Sequence, residues 1–211
     1  MYSAIPIIGV VGLKNSGKTL IMERLVKELR KESFKVATAK HISQKGFSID
    51  NEGKDTWKHS RAGANPVIIV SDIEVAVIIK RSIQDFSLDY LLRFMGDVDA
   101  ILIEGFSRFI LQDSDVGKII CVRNREEYED YRGKVKGEIL AFCSIKFLDQ
   151  PVLRINEDLG IIVKNVIGYI KKRREIGEII NQLPKLDCGK CGFSSCIEMA
   201  KAIYKGEAKL D

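Results

Sequence analysis

The residues with the clearest chemistry in this 211-residue chain are Gly12-Leu13-Lys14-Asn15-Ser16-Gly17-Lys18-Thr19, which fit G-x-x-x-x-G-K-T in full. An apolar run, Ile5 to Val11, precedes them, and apolar residues recur behind them at Leu20, Ile21, Leu25, Val26 and Leu29. That spacing puts the motif between a strand and an amphipathic helix. There the glycines let the backbone curl until successive N–H groups and the helix N-terminus face inward, which favours an anion. Gly12, Lys14, Asn15, Ser16 and Gly17 are thus expected to cradle phosphates, with Lys18 reaching the β- and γ-phosphates and the Thr19 hydroxyl holding Mg2+.

Glu104 closes the apolar run Asp99 to Ile103, so it reads either as the carboxylate behind a magnesium-bound water or as an ordinary strand-end acid. Lys40 and His41 end a second strand, Phe34 to His41, on the sheet edge where open α/β folds collect ligands. His41 then faces phosphate or substrate, or is merely structural. Asp50, Lys54 and Asp55 gather around a helix from Lys54 to about Ala62, where Asp55 also suits the positive end of the helix dipole.

The remaining reactive groups are five cysteines. Cys121 and Cys143 stand alone in apolar runs and read as core, whereas Cys188, Cys191 and Cys196 form C-x2-C-x4-C with interspersed glycines. An odd count argues against a disulfide framework. Such a compact thiolate set suits an iron–sulfur cluster or Zn2+, or has become an empty relic.

The elements that must carry these groups follow from periodicity. Pro66 to Ser71 and Glu74 to Ile79 are β-branched runs that make a hairpin or two sheet neighbours, Leu88 to Met95 is helical, and Lys118 to Val122 and Glu138 to Cys143 are strands. Asp158 to Leu183 is one long amphipathic helix, whose Lys171-Lys172-Arg173-Arg174 run reads as a solvated face. Strands alternating with helices predict an α/β fold, a mostly parallel sheet covered by helices on both faces, with a small cysteine-bearing helical appendage. Three parts are expected: a nucleotide-binding domain over 1–156, a helix or linker over 157–183, and a minidomain over 184–211.

Composition sets the bounds. Apolar residues at 45%, charged residues at 30%, and only 17 glycines and 4 prolines exclude disordered and collagen-like chains. A net charge of +5 falls short of a nucleic-acid stripe. The apolar start at Met1 lacks a basic flank, and no apolar run approaches the ~18 residues a bilayer span needs. The expectation is a cytoplasmic protein with neither nucleic-acid nor membrane partners.

Together, the phosphate loop, Lys40-His41, the segment from Ile49 to Ala64 (IDNEGKDTWKHSRAGA) and Glu104-Gly105-Phe106 resemble the molybdopterin-guanine dinucleotide biosynthesis protein B family. The resemblance covers roughly residues 5 to 155, with Ile103 where the family has valine. It implies a GTP-binding, usually dimeric adapter to the guanylyltransferase of molybdenum or tungsten cofactor maturation, at most a slow GTPase. By position, Gly12, Gly17, Lys18 and Thr19 would bind phosphates and Mg2+, with Glu104 near the metal, while Lys40, His41, Asp50, Lys54 and Asp55 would line a neighbouring anion pocket. The N/T-K-x-D guanine reader of Ras-like proteins is absent from the sequence, so GTP over ATP rests on the resemblance.

The cysteine tail further resembles a small [4Fe-4S] domain with C-G-x-C-G-[FY]-x-x-C followed by a helix and G-E-A. The fourth cysteine of that pattern would fall just past Asp211. Either the natural protein is longer, which is the favoured reading, or Cys121, Cys143 or a partner residue completes the set, or three thiolates suffice. Two rivals remain: a small-molecule kinase with Asp50 or Asp55 as acceptor-side base, against which the chain lacks an arginine-rich lid, and an ATP-dependent iron–sulfur carrier.

Overall fold

The computed structural model describes residues 5–149 and 151–210; the Met1 start and Asp211 lie outside the described residues. The chain divides into two compact units, one made of residues up to 41 and from 92 onward, the other of residues 42–91.

In the larger unit, β1 (Ile7–Gly12) leads through the Gly-rich loop into α1 (Lys18–Lys31), followed by β2 (Val36–Lys40). The smaller unit contains α2 (Asp55–Arg61), β3 (Val67–Val70), β4 (Val75–Ile78) and most of α3 (Leu88–Leu92). The larger unit resumes with β5 (Ala100–Glu104), α4 (Ser107–Ile110), β6 (Gly117–Cys121), α5 (Arg125–Lys134), β7 (Ile139–Ser144), β8 (Val152–Arg154), α6 (Leu159–Gln182) and α7 (Cys196–Tyr204).

Six strands form a wholly parallel sheet in the order β2-β5-β1-β6-β7-β8. The central strands β5 and β6 are buried along their entire length, as apolar runs covered on both faces require. On one face, Ile21, Leu25 and Leu29 of α1 and Ile162, Val166 and Ile170 of α6 pack on Ile8, Val10, Leu102 and Ile119. On the other, Tyr128 of α5 meets Phe142 edge-on with ring centroids 4.6 Å apart. There too a Cβ on Gly9 would stand 2.1 Å from the Cδ1 end of Ile110 of α4, so α4 sits close on β1 where glycine leaves room for that side chain.

β3 and β4 form an antiparallel hairpin of their own rather than joining the main sheet. The periodicity does not announce α4, α5, whose sequence REEYEDYRGK buries only Tyr128 and starts on the Asn124 side-chain cap, or the three-residue edge strand β8.

The basic run of α6 is less solvated than its composition suggests. Lys172 pairs with Glu138 at 2.7 Å, Arg173 with Asp115 at 3.1 Å, and Arg174 with Asp99. These acids precede β7, β6 and β5, so the run clasps the N-terminal end of the sheet. Lys118, fully buried in β6, holds the same end: its ammonium donates to the carbonyls of Asp113, Val116 (2.8 Å) and Lys136 (2.7 Å). Burial pulls its pKa below the usual lysine range, against the nearby Asp113 and Asp115 charges.

The tail is docked on α6. Cys196 and Ala200 of α7 are buried against Ile176, Ile180 and Leu183, Ser195 caps α7 by accepting from the Glu198 N–H, and Lys201 reaches Asp115 at 2.9 Å. Burial alone would raise the Asp115 pKa, but the Lys201 hydrogen bond and the Lys201 and Arg173 charges outweigh it and hold the carboxyl below its usual range. A carboxylate depressed in the fold stabilises above its unfolded pKa, about 4, and that contribution is lost as pH falls through the folded value. Acidification below about pH 4 should therefore loosen α7 before the sheet, read as faster amide exchange in 196–204, and Asp115→Asn should show this loosening already at pH 7.

Candidate phosphate-binding site

The phosphate site grows from the C-terminal end of β1. Gly12 has φ +150°, and a Cβ there would stand 2.3 Å from the Cys121 carbonyl and 2.6 Å from Ser16 Oγ. Gly17 has φ +96°, with Ile155 and Ile145 within 3 Å of where its Cβ would be. Both positions demand glycine by conformation and by space. Asn15, between them, also takes the left-handed conformation, φ 61°.

The loop surrounds a cavity of about 340 Å3 lined by residues 15–20 and Ile145. Lys18 donates from Nζ to the Leu13 carbonyl at 2.6 Å, so its ammonium lies over the loop. Ser16 is buried, and among the described residues its Oγ has no hydrogen-bond partner. An orphaned buried hydroxyl in a Gly-rich loop that opens a helix is an arrangement that an anion would satisfy. Phosphate therefore fits these residues.

Glu104 arrives from the neighbouring strand, buried to 8% exposure. Its Oε1 accepts from Thr19 Oγ1 at 3.0 Å and is 3.1 Å from Lys40 Nζ. The parallel register pairs Lys40 with Glu104, so a cation, a hydroxyl and a carboxylate from three elements meet at one point. A hydroxyl and a carboxylate at that separation are hard oxygen donors of the kind Mg2+ takes, one directly and one through water. The residues fit the ion.

Beyond Glu104 the chain turns sharply. Gly105 (φ 85°) donates to the Val10 carbonyl at 2.9 Å, and Phe106 takes φ 55°, unusual for an aromatic residue. The His41 ring stacks at a tilt on Phe106, centroids 5.5 Å apart, and the His41 N–H bonds the Glu104 carbonyl at 2.9 Å. The structure thus brings together Gly12, the loop from Lys14 to Thr19, Lys40, His41 and Glu104. Ile145, at the end of β7, is a wall residue that no motif announced.

Asp50, Lys54 and Asp55 belong to the smaller unit. Asp50 Oδ1 accepts from Thr56 Oγ1 at 2.7 Å while its Oδ2 has no partner among the described residues, Lys54 is the N-cap residue of α2, and Asp55 sits in the first helical turn, 3.3 Å from Lys58.

The tail thiols are of the right chemical type for soft metal centres, and in this structure they stand in different surroundings. Cys188 and Cys191 are exposed, Cys196 is buried among apolar side chains, and among the described residues no three His, Cys, Asp or Glu side chains are grouped to hold a metal ion. Cys121 and Cys143 instead face each other in the sheet core, Sγ to Sγ 3.6 Å. Also among the described residues, no helix is long and apolar enough to cross a membrane.

Known proteins share this architecture. The family model described as molybdopterin guanine dinucleotide synthesis protein B matches residues 7–144, and one described as "Putative Fe-S cluster" matches residues 183–211. A Methanocaldococcus jannaschii protein named "Putative molybdopterin-guanine dinucleotide biosynthesis adapter protein" is 27% identical over 207 residues, 97% of this chain and 75% of the relative. The Haemophilus influenzae adapter protein of that name is 36% identical over 110 residues, 51% of this chain and 61% of the relative. A crystal structure of molybdopterin-guanine biosynthesis protein B gives a TM-score of 0.58 at 28% identity, covering 78% of this chain and 99% of the other. The Bacillus subtilis MobB structure gives 0.58 at 24%, covering 78% and 98%, a likeness of fold alone. With five of the six sheet strands, the Gly-rich loop and Glu104 inside a model that spans more than half of its residues, the chain belongs to the molybdopterin guanine dinucleotide synthesis protein B family.

Proposed function

We propose that this protein is a GTP–Mg2+-binding adapter that assists a guanylyltransferase in attaching the nucleotide to molybdopterin, with slow hydrolysis at most. The observation that carries the reading is the convergence of the Gly12–Thr19 loop with Thr19, Glu104 and Lys40. The amides of 14–19 and the Lys18 ammonium would hold the triphosphate, and Thr19 with Glu104 would hold Mg2+, which neutralises phosphate charge when bound. Lys40 lies 3.1 Å from the Glu104 carboxylate, which with its Thr19 contact engages that carboxylate as a metal and charge anchor. Guanine over adenine is supported by the family, whose product carries guanine.

The adapter role is tested by adding the protein and GTP to a molybdopterin-loaded guanylyltransferase and measuring the dinucleotide formed. Stimulation that needs an intact Lys18 supports the role; transfer of the γ-phosphate to a small acceptor contradicts it. Glu104→Gln, which keeps the hydrogen bond but removes the charge, should raise the Mg2+ concentration needed for half-maximal GTP binding about tenfold, read by titrating Mg2+ at fixed nucleotide.

The reading extends to a homodimer and to the tail. Ile68, Val70, Val75 and Val77 lie on one face of the β3–β4 hairpin, with Ile73 at its turn, all between 45% and 93% exposed. A lone two-stranded sheet is marginal in water and its free edges are self-complementary, so a second copy is the natural cover. Val75→Asp should yield a monomer in sedimentation velocity where the unaltered protein is a dimer. In the tail, the three thiols and the match over 183–211 support an iron–sulfur-binding module; no step of the adapter role runs through it.

A further inference from the structure

A triphosphate held by the Gly-rich loop has a direction. Its metal end is marked by Glu104 of β5 and Lys40 of β2, strands that lie on one side of β1 in the sheet. The nucleoside end therefore leaves toward the other side, where β6, β7 and β8 follow in order. The cavity agrees: among the described residues, the lining residue outside 15–20 is Ile145, directly after β7.

Ile145 begins a short segment, residues 145–149, that the loop itself holds in place. Ile145 and Ile155 both come within 3 Å of where a Gly17 Cβ would be, and the Ile155 N–H donates to the Ser144 carbonyl at 3.0 Å. Phe147 stands two residues beyond the first of these contacts, and Arg154 one residue before the second. The Arg154 guanidinium lies over the Phe147 ring, 5.7 Å from its centroid, and is held in turn by Glu157 at 3.2 Å. The ring is nevertheless 70% exposed. An aromatic ring backed by a cation, open on its other side and tied to a phosphate loop, is a stacking platform for a nucleobase.

The same segment carries Lys146 and Asp149, both exposed, and among the described residues neither forms an ion pair. An ammonium only donates hydrogen bonds, and a carboxylate only accepts them. Guanine offers an acceptor at O6 and donors at N1 and the 2-amino group, which suit that pair; adenine offers a donor at position 6 and an acceptor at N1. On the GTP-binding reading above, we infer that residues 145–149 form the guanine subsite of the phosphate loop. Phe147, steadied by Arg154, stacks on the base, Lys146 donates to O6, and Asp149 accepts from N1–H and the amino group. A base reader is thus present in a chain whose sequence lacks N/T-K-x-D.

Isothermal titration with GTP, ATP, xanthosine triphosphate and inorganic tripolyphosphate, each with Mg2+, separates the base from the phosphates. Phe147→Ala should weaken GTP binding about tenfold or more and leave tripolyphosphate unchanged. Asp149→Asn should turn the preference from GTP to xanthosine triphosphate, because the amide donates to the 2-carbonyl of xanthine where the carboxylate accepted from the amino group of guanine. Both side chains are exposed, so neither change disturbs the core. If the unaltered protein binds GTP and tripolyphosphate, but Phe147→Ala keeps the parent's GTP affinity or Asp149→Asn its base preference, the guanine subsite is overturned and the phosphate loop stands. Equal affinity of the unaltered protein for GTP and ATP would overturn it too. If the unaltered protein binds neither GTP nor tripolyphosphate, the GTP-binding reading fails and the subsite with it.

Discussion

Lys18→Ala should lower affinity for GTP–Mg2+ by about a hundredfold or more, equivalent to ~2.7 kcal/mol, while the thermal midpoint of the nucleotide-free protein stays within about 2 °C. The asymmetry follows from what the side chain touches. Its ammonium donates to the Leu13 carbonyl in an exposed setting, outside the apolar core. Against a polyphosphate the same ammonium makes charge-assisted bonds inside a ring of amides, where each is about twice as strong as a neutral one. Isothermal titration and a melting curve on the same sample check both halves. Unchanged affinity would remove Lys18 from the site, and a large fall in midpoint would make the residue structural.

The largest effect on stability should come from Lys118→Met. Methionine fills nearly the same volume, so the change isolates the ammonium. Three backbone carbonyls, of Asp113, Val116 and Lys136, would lose their donor in the closed end of the sheet. Each buried acceptor left unpaired costs about 1–3 kcal/mol, whereas relief from desolvating the ammonium returns part of that. The acceptors outnumber the charge three to one, so the net should be a loss of about 3–5 kcal/mol, a large share of the 5–15 kcal/mol typical of a whole domain. Chemical denaturation should show it as a lower midpoint at unchanged slope. A variant as stable as the parent would mean that these carbonyls find water or relax.

How much of this was legible beforehand depended on whether a residue's role is local. Gly12 to Thr19 announced itself because phosphate binding by backbone amides needs a fixed local conformation, which only certain residues permit, and Gly12 and Gly17 occupy that conformation. The strands β1, β5 and β6 were equally plain, since burial on both faces leaves them almost wholly apolar runs. Contacts made by distant segments left no such trace. Asp115 gathers Arg173 and Lys201 from two helices, Lys118 reads as a polar interruption of a strand, and Ile145 is one apolar residue among many. α5 was hidden because its partners are i,i+4 ion pairs such as Arg125–Glu129 and Lys134–Asp130, not an apolar stripe. In the tail, local spacing marked three thiols as one set, yet Cys196 lies in an apolar cluster and the other two face solvent. Spacing specifies which groups could converge, and packing decides whether they do.

A crystal structure with a non-hydrolysable GTP analogue and Mg2+ tests the central claim most directly. The account predicts the triphosphate wrapped by the amides of residues 14–19, Lys18 swung from the Leu13 carbonyl onto the phosphates, and the metal between Thr19 and Glu104 with their direct 3.0 Å hydrogen bond broken. Nucleotide bound elsewhere, or a loop that keeps the Lys18–Leu13 and Thr19–Glu104 bonds at saturating analogue, would contradict it.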